Sequence, residues 1–259
     1  MNNKFLIIFF TVLIMSAEIQ AKSTYVEEMT NKEFIDRFSD LVFGENREKQ
    51  LSKFIDPVRV RLFGSDKDLL NQYRPKVAQI IDKLRNEARI DIAMANENEK
   101  ANYAFIFSET PIFEMLVAYE GIPKLFAGND QERFYANVKE FESRSLKSTT
   151  MFIALNSGEL KGCMNVQKTP PSIKHEKAKE SARGIEQSIL YCLGLKRHVF
   201  KNDNFSIRTN KFERIKFSFE KNSYTKFDIA TLKLLYNENF SVGLNFKGAH
   251  TIITDIVNK

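Results

Sequence analysis

The sequence predicts an α+β fold, in which a mixed, twisted β-sheet packs on a central helix and a helical and loop-rich part follows towards the C-terminus. Two observations support this prediction. Short runs of alternating apolar and polar residues, typical of half-buried strands, are separated by segments with helical periodicity. One of these segments, at 181–195, has an apolar stripe at helical spacing and ends at a glycine.

The length and the N-terminus indicate one exported domain. The chain has 259 residues, of which 43% are hydrophobic, so a large core can form. Lys4 precedes an apolar run from Phe5 to Met15 that is too short to span a bilayer. We expect residues 1–21 to be a signal peptide and the mature protein to be periplasmic or secreted by a bacterium, the alternative being an N-terminal membrane anchor. No linker or repeat divides the remainder, so we assign 22–49 to a helix and connector and 50–259 to a single domain.

The charge distribution limits the classes of partner. The chain has 39 basic and 33 acidic residues, and the net charge of +6 is spread without a basic stripe interleaved with aromatic residues. Nucleic-acid binding is therefore not expected. We expect no cofactor, and no transmembrane segment once the signal peptide is removed. The sequence leaves the oligomeric state open.

The first half of the chain alternates helices with strands. A helix over 25–43 is closed by Gly44, and a second helix, with Pro75 near its start, runs to Asn86. In the first strand, Arg59 and Arg61 alternate with apolar residues. We expect the second and third strands to form a hairpin-like step, which makes the sheet mixed. The predicted strands are 58–62, 89–95 and 102–108.

The second half contains a hairpin and a capped helix. Strands at 150–155 and 160–166 are joined by a turn that contains Gly158, which predicts a β-hairpin. Residues 196–224 are basic and loop-rich. Thr225 and Asp228 then have the spacing of a capping box. We therefore interpret Asp228 as structural rather than catalytic.

The segment at 181–195 has two distinct faces when it is read as a helix. Gly194 ends it. The apolar stripe comprises Ala182, Ile185, Ile189, Cys192 and Leu193, and the opposite face comprises Gly184, Gln187, Ser188 and Tyr191.

The spacing of the polar face matches the helix of zinc peptidases. These enzymes carry H-E-x-x-H, often followed by x-x-G, on one helix. Counting back from Gly194 places Gln187 and Tyr191 at the two ligand positions and Ser188 at the position of the general base. The spacing of the motif is present, and we call these three positions the H-E-x-x-H frame, but the zinc ligands and the general base are missing.

The two cysteines are predicted to form a disulfide. After export, Cys163 and Cys192 enter an oxidising compartment, and two cysteines allow a single connectivity. The bond would tie the hairpin to the central helix. Two buried free thiols are the alternative.

The order of several motifs resembles a bacterial exported family, domain of unknown function 2927, over about residues 50–245. Each motif is modest alone, and their order makes the similarity moderately specific. The motifs are Pro57-Val58-Arg59-Val60-Arg61-Leu62-Phe63-Gly64, Cys163, Cys192-Leu193-Gly194-Leu195, Ser206-Ile207, Asp228 with Leu232, Leu235 and Tyr236, and Gly243.

This resemblance implies a zincin-like scaffold, related to metallopeptidases, with a degenerate active-site helix. The family usually carries E-E-x-x-Q in this helix, and this chain departs even from that pattern at Gln187, Ser188 and Tyr191. His198 stands near the place of a family Asp. The implied protein is a pseudoenzyme with no catalytic residue and no metal, in which Tyr191 hydrogen-bonds His198. It would bind an extended peptide or a component of the cell envelope by strand addition.

A hydrolase with atypical residues is the alternative function. It would use Glu186, Tyr191 and His198, with or without a metal. Glu186 lies about 100° around the helix from Gln187, where we expect it to be solvated. His175 is too far along the helix to share a site with Gln187, and the sequence does not place His250.

Overall fold

The computed structural model describes residues 29–44, 47–64, 66–96, 98–107, 135–136, 139, 148–167, 185–196 and 224–258. Its helices include α1 (Asn31–Phe43), α2 (Lys67–Glu87), α3 (185–192), α4 (Lys226–Leu235) and α5 (Phe246–Val257). Its strands are β1 (Lys53–Phe54), β2 (Val58–Gly64), β3 (Ile92–Met94), β4 (Tyr103–Phe107), β5 (Ser148–Ala154) and β6 (Glu159–Gln167). The fold is a mixed arrangement of helices and sheet, as predicted.

The six described strands form one mixed sheet. Strands β3, β2, β4 and β6 lie side by side in that order and are parallel, and β1 is parallel to the start of β6. Strand β5 is antiparallel to β6, which confirms the predicted hairpin. Leu160 pairs with both Phe54 and Ala154, so β1 and β5 lie on opposite edges of β6.

The predicted hairpin-like step between the second and third strands is wrong. Strands β3 and β4 do not pair with each other, because both are parallel neighbours of β2 and lie on its opposite edges. Val60 pairs with Met94 on one side and with Tyr103 on the other. The connection between β3 and β4 therefore crosses one face of β2.

Arg59 and Arg61 bind this crossing connection. The Arg59 guanidinium donates to the carboxylates of Asp91, at 2.8 Å, and Glu99, at 2.7 Å. Arg61 donates to the backbone carbonyl of Asn96 at 2.7 Å and to that of Glu99. The polar side of this alternating strand thus holds a loop in place, instead of facing open solvent.

Helix α1 shares its hydrophobic core with the sheet and with the C-terminal helices. It begins at Thr30, which forms a capping box with Glu33. Its ring contacts are Phe34 with Phe227 at 5.5 Å, Phe38 with Phe240 at 5.8 Å, and Phe43 with Phe246 at 5.9 Å. Helix α1 and the sheet therefore belong to one hydrophobic core. Among the helices of the described ranges, none is long and apolar enough to cross a bilayer.

Candidate functional site

Helix α3 has one buried and one partly accessible face. Ile185, Ile189 and Cys192 have no exposed surface, whereas Gln187, Ser188 and Tyr191 are half-buried. The predicted apolar stripe thus faces the core, and the residues of the H-E-x-x-H frame share the other side. These three side chains are neutral, and none is a His, a Cys or a carboxylate of the kind that binds zinc.

The turn after α3 requires a glycine. Gly194 has a φ of +103°, and it lies so near the chain that an added Cβ would overlap the carbonyl oxygen of Ser52. The Gly194 N–H donates to the Tyr191 carbonyl at 3.1 Å, and the Leu195 N–H donates to the Leu190 carbonyl at 3.0 Å. These two bonds form a Schellman motif. The chain can therefore turn sharply while the last carbonyls of α3 stay paired.

A disulfide fixes α3 on the sheet. Cys192, in the last turn of the helix, is bonded to Cys163 of β6, and their Cα atoms are 5.7 Å apart. Both residues are fully buried. The predicted disulfide between the hairpin and the central helix is present.

Helix α4 is joined to both ends of α3. The Tyr224 hydroxyl donates to the Glu186 carbonyl at 3.3 Å, and the Tyr236 hydroxyl donates to the Leu193 carbonyl at 3.2 Å. The N-terminus of α4 is capped by Thr225 and Asp228: the Asp228 N–H donates to Thr225 Oγ1 at 3.0 Å and the Thr225 N–H donates to Asp228 Oδ2 at 2.9 Å. Asp228 is fully buried in this structural role.

The prediction that Glu186 is solvated is wrong. Glu186 is only 6% exposed, and its carbonyl accepts the hydrogen bond from Tyr224, which lies two residues before α4. Burial, followed by the charge of Glu186, raises the pKa of the Tyr224 hydroxyl well above its ordinary value. Glu186 therefore lies away from the accessible face of Gln187, Ser188 and Tyr191. The sequence does contain a signal for Tyr224, since an apolar residue just before an N-cap often packs on the helix.

Of the three histidines, His250 is the one that lies in the described part of the chain. His198 and His175 lie outside the described residues, so the contact between Tyr191 and His198 stays a prediction. His250 is exposed on α5, with its ring 5.4 Å from that of Phe246. The described residues contain no group of three or more His, Cys, Asp or Glu side chains that could hold a metal ion.

Strand β5 forms an edge of the sheet. Its partner is β6, and no other strand of the described ranges pairs with it. The Leu155 N–H donates to the Glu159 carbonyl at 2.9 Å, so residue 155 faces β6. Backbone groups alternate in direction along a strand, so those of Phe152 and Thr150 face outwards. The amide of Cys163, the partner of Phe152, supports this direction because it donates to Asn102 on the far side of β6, at 2.9 Å.

The tip of the hairpin is held against the C-terminal part of the chain. Gly158 has a φ of +90°, and an added Cβ would lie 2.9 Å from the backbone nitrogen of Gly243. The Gly243 N–H donates to the Leu51 carbonyl at 3.0 Å, and the Leu51 N–H donates to the Leu244 carbonyl at 2.8 Å. The edge strand is thus supported at its tip and, through β6, by the disulfide.

No family model, no curated protein and no solved structure matches this chain. The features of this chain that bear on function are therefore the geometry of α3 and of the β5 edge.

Proposed function

We propose that this chain is an exported, non-catalytic protein on a zincin-like scaffold, similar to domain of unknown function 2927, and that it binds an extended peptide along the outer edge of β5. The observation that carries this proposal is the seven-residue antiparallel edge strand, whose outward-facing backbone groups have no strand partner among the described residues. Such an edge can accept one more strand through main-chain hydrogen bonds.

Rigidity of the supporting elements favours binding at this edge. Strand β6 lies directly beside β5 and is bonded through Cys163 to α3. A preorganised edge loses little conformational entropy when a peptide pairs with it, and less of the interaction energy is then lost in ordering the site. The ligand class is a peptide in extended conformation, and a peptide of the cell envelope is the form that export suggests.

The residues at the H-E-x-x-H frame support a role without catalysis. A general base must change its protonation state near neutral pH, and Gln187 and Ser188 do not. Glu186, the acid of the alternative hydrolase, is buried away from their face. We therefore assign Gln187, Ser188 and Tyr191 to ligand contact or to stability.

A pair of variants at Phe152 tests the site of binding. Peptides selected by phage display on the mature protein are labelled, and their affinity is measured by fluorescence anisotropy. Both Phe152→Ala and Phe152→Pro remove the side chain, but only the proline also removes the outward-facing N–H. We expect the proline variant to bind at least about tenfold more weakly than the alanine variant, or about 1.4 kcal/mol.

A second measurement does not depend on any variant. Binding of the selected peptide should slow hydrogen exchange at the amides of Thr150 and Phe152, which have no strand partner on their outer side among the described residues. Unchanged exchange at both amides, with a bound peptide, would place the binding site elsewhere.

Metal content separates the proposed function from the hydrolase. The purified native protein should contain no stoichiometric zinc, and Gln187→Ala, Ser188→Ala and Tyr191→Ala should change stability or peptide affinity without abolishing a hydrolytic activity. Stoichiometric zinc, or peptide cleavage that a chelator or Tyr191→Ala abolishes, would support the hydrolase instead.

A further inference from the structure

The sequence of β5 lacks the charged residues and prolines that commonly prevent edge strands from pairing with one another. Its seven residues, Ser148–Ala154, include no charged residue, no proline and no glycine. Natural edge strands are commonly protected by lysine, by proline or by a bulge in their middle. The register shift between β5 and β6 lies near the C-terminal end of β5, between Ile153 and Ala154. The six residues before this shift, 148–153, therefore offer a regular, uncharged edge.

The backbone of this edge is complementary to itself. Outward-facing groups belong to Thr150 and Phe152 and, by the same alternation, to Ser148 and Ala154. In an antiparallel pair centred on Met151, Thr150 stands opposite Phe152 of a second copy, and Ser148 stands opposite Ala154. Every outward-facing residue then meets another outward-facing residue, which allows about eight N–H···O bonds. A pairing centred between two residues would set outward groups against inward ones.

We infer that β5 pairs with β5 of a second copy of this chain, antiparallel about a two-fold axis at Met151, so that two six-stranded sheets become one. Each chain carries a net charge of +6, but the paired strands are neutral, so no like charges face each other across the contact. An isologous contact of this kind closes after two copies. The inference uses the same free edge as the proposed function but does not require that a peptide binds there.

Cross-linking tests the register. A two-fold axis at Met151 places this residue opposite its own copy in a non-hydrogen-bonded pair, with Cα atoms about 4.5 Å apart, within the range for a disulfide. Cys163 and Cys192 are bonded to each other, so they do not compete. Under mild oxidation, more than half of a Met151→Cys variant should become covalent dimer.

The matched control is Thr149→Cys, on the same strand. The two copies of residue 149 would be four residues apart along the pair, or about 13 Å, so less than a tenth of this variant should cross-link. Equal cross-linking of the two variants, or none of Met151→Cys, would overturn the register.

Sedimentation velocity tests the dimer without cross-links. The native protein should show a reversible equilibrium between monomer and dimer, and Phe152→Pro should raise the dissociation constant of the dimer at least tenfold relative to Phe152→Ala. A native protein that stays monomeric up to the millimolar range refutes the dimer, even if it binds a selected peptide. A dimer that forms at high concentration, while protein diluted far below the dissociation constant of the dimer selects no peptide, refutes the peptide-binding function alone.

Discussion

The hydroxyl group of Tyr236 lies 3.2 Å from the carbonyl oxygen of Leu193 and links the end of α4 to the end of α3. The Tyr236 hydroxyl oxygen also accepts a hydrogen bond from the Phe54 N–H at 3.4 Å. The hydroxyl of Tyr103 is also buried, but it has no hydrogen-bond partner among the described residues. These two tyrosines allow the contribution of a buried hydroxyl group to stability to be compared with and without hydrogen-bond partners.

Tyr236→Phe should lower the free energy of unfolding by about 1–2 kcal/mol, because the Leu193 carbonyl and the Phe54 N–H lose a partner inside the protein. Tyr103→Phe should leave it unchanged or raise it slightly, since no hydrogen bond is lost and an unpaired polar atom is removed. Urea unfolding of both variants measures the difference. Equal destabilisation by the two substitutions would show that ring packing, and not the hydroxyl, sets their effect.

Replacement of both cysteines by alanine should lower the free energy of unfolding by roughly 3–4 kcal/mol, because Cys163 and Cys192 close a loop with a sequence separation of 29. Before reduction, the denatured mature protein should contain no titratable thiol. Two titratable thiols would contradict the bond.

Gly194→Ala should lower the free energy of unfolding by at least about 2 kcal/mol, because the left-handed backbone and the Ser52 carbonyl both exclude a Cβ. Gly248→Ala provides the control. This glycine lies within α5, and its Cβ would lie 3.2 Å from the flexible end of the Leu244 side chain and 3.5 Å from Asn245 Oδ1. Alanine there should be neutral or stabilising by up to about 1 kcal/mol. Similar losses for both variants would contradict the special role of Gly194.

Lys196 should make stability depend on pH above neutrality. Burial, assisted by the charge of Lys49, lowers the pKa of its ammonium group to about 8. The unfolded chain keeps this proton up to a pKa of about 10.4. Between these values the unfolded state binds more protons, so the contribution of Lys196 to the free energy of unfolding rises with pH.

The measurement compares urea unfolding of native protein and Lys196→Met from neutral pH to about pH 10. The free energy of unfolding of the native protein should rise relative to that of Lys196→Met as the pH increases from about 8 to about 10. Lys226→Met, at an exposed lysine in the first turn of α4, controls for the general effect of removing one positive charge. A constant difference for Lys196→Met would refute the titration.

Local patterns in the sequence are enough to predict much of the fold. The turn at Gly158 between two apolar runs predicts the hairpin, and the spacing of Thr225 and Asp228 predicts the start of α4, because both signals depend on neighbouring residues. The direction and order of strands are not local. Periodicity shows that 89–95 and 102–108 are extended, but it cannot show that β2 lies between them.

In the candidate site, too, local features can be predicted from the sequence and contacts between distant residues cannot. The helical stripe of α3 and the glycine that ends it can be predicted, since both follow from spacing. The burial of Glu186 cannot, because it depends on Tyr224 and α4, which come about forty residues later in the chain. The outward-facing edge of β5 likewise depends on which strand occupies the other side of β6.

The parallel pairing of β1 and β4 with β6 has a consequence for folding kinetics. Lys53 pairs with Glu159 and Tyr103 pairs with Cys163, so the sheet is completed by contacts between distant parts of the chain. Loop closure over such distances gives a high contact order, and folding then takes milliseconds to seconds instead of microseconds. A nascent chain cannot finish this sheet before β6 has been synthesised. If the chain is exported, as we propose, this delay would leave the polypeptide time to be transported before the sheet forms.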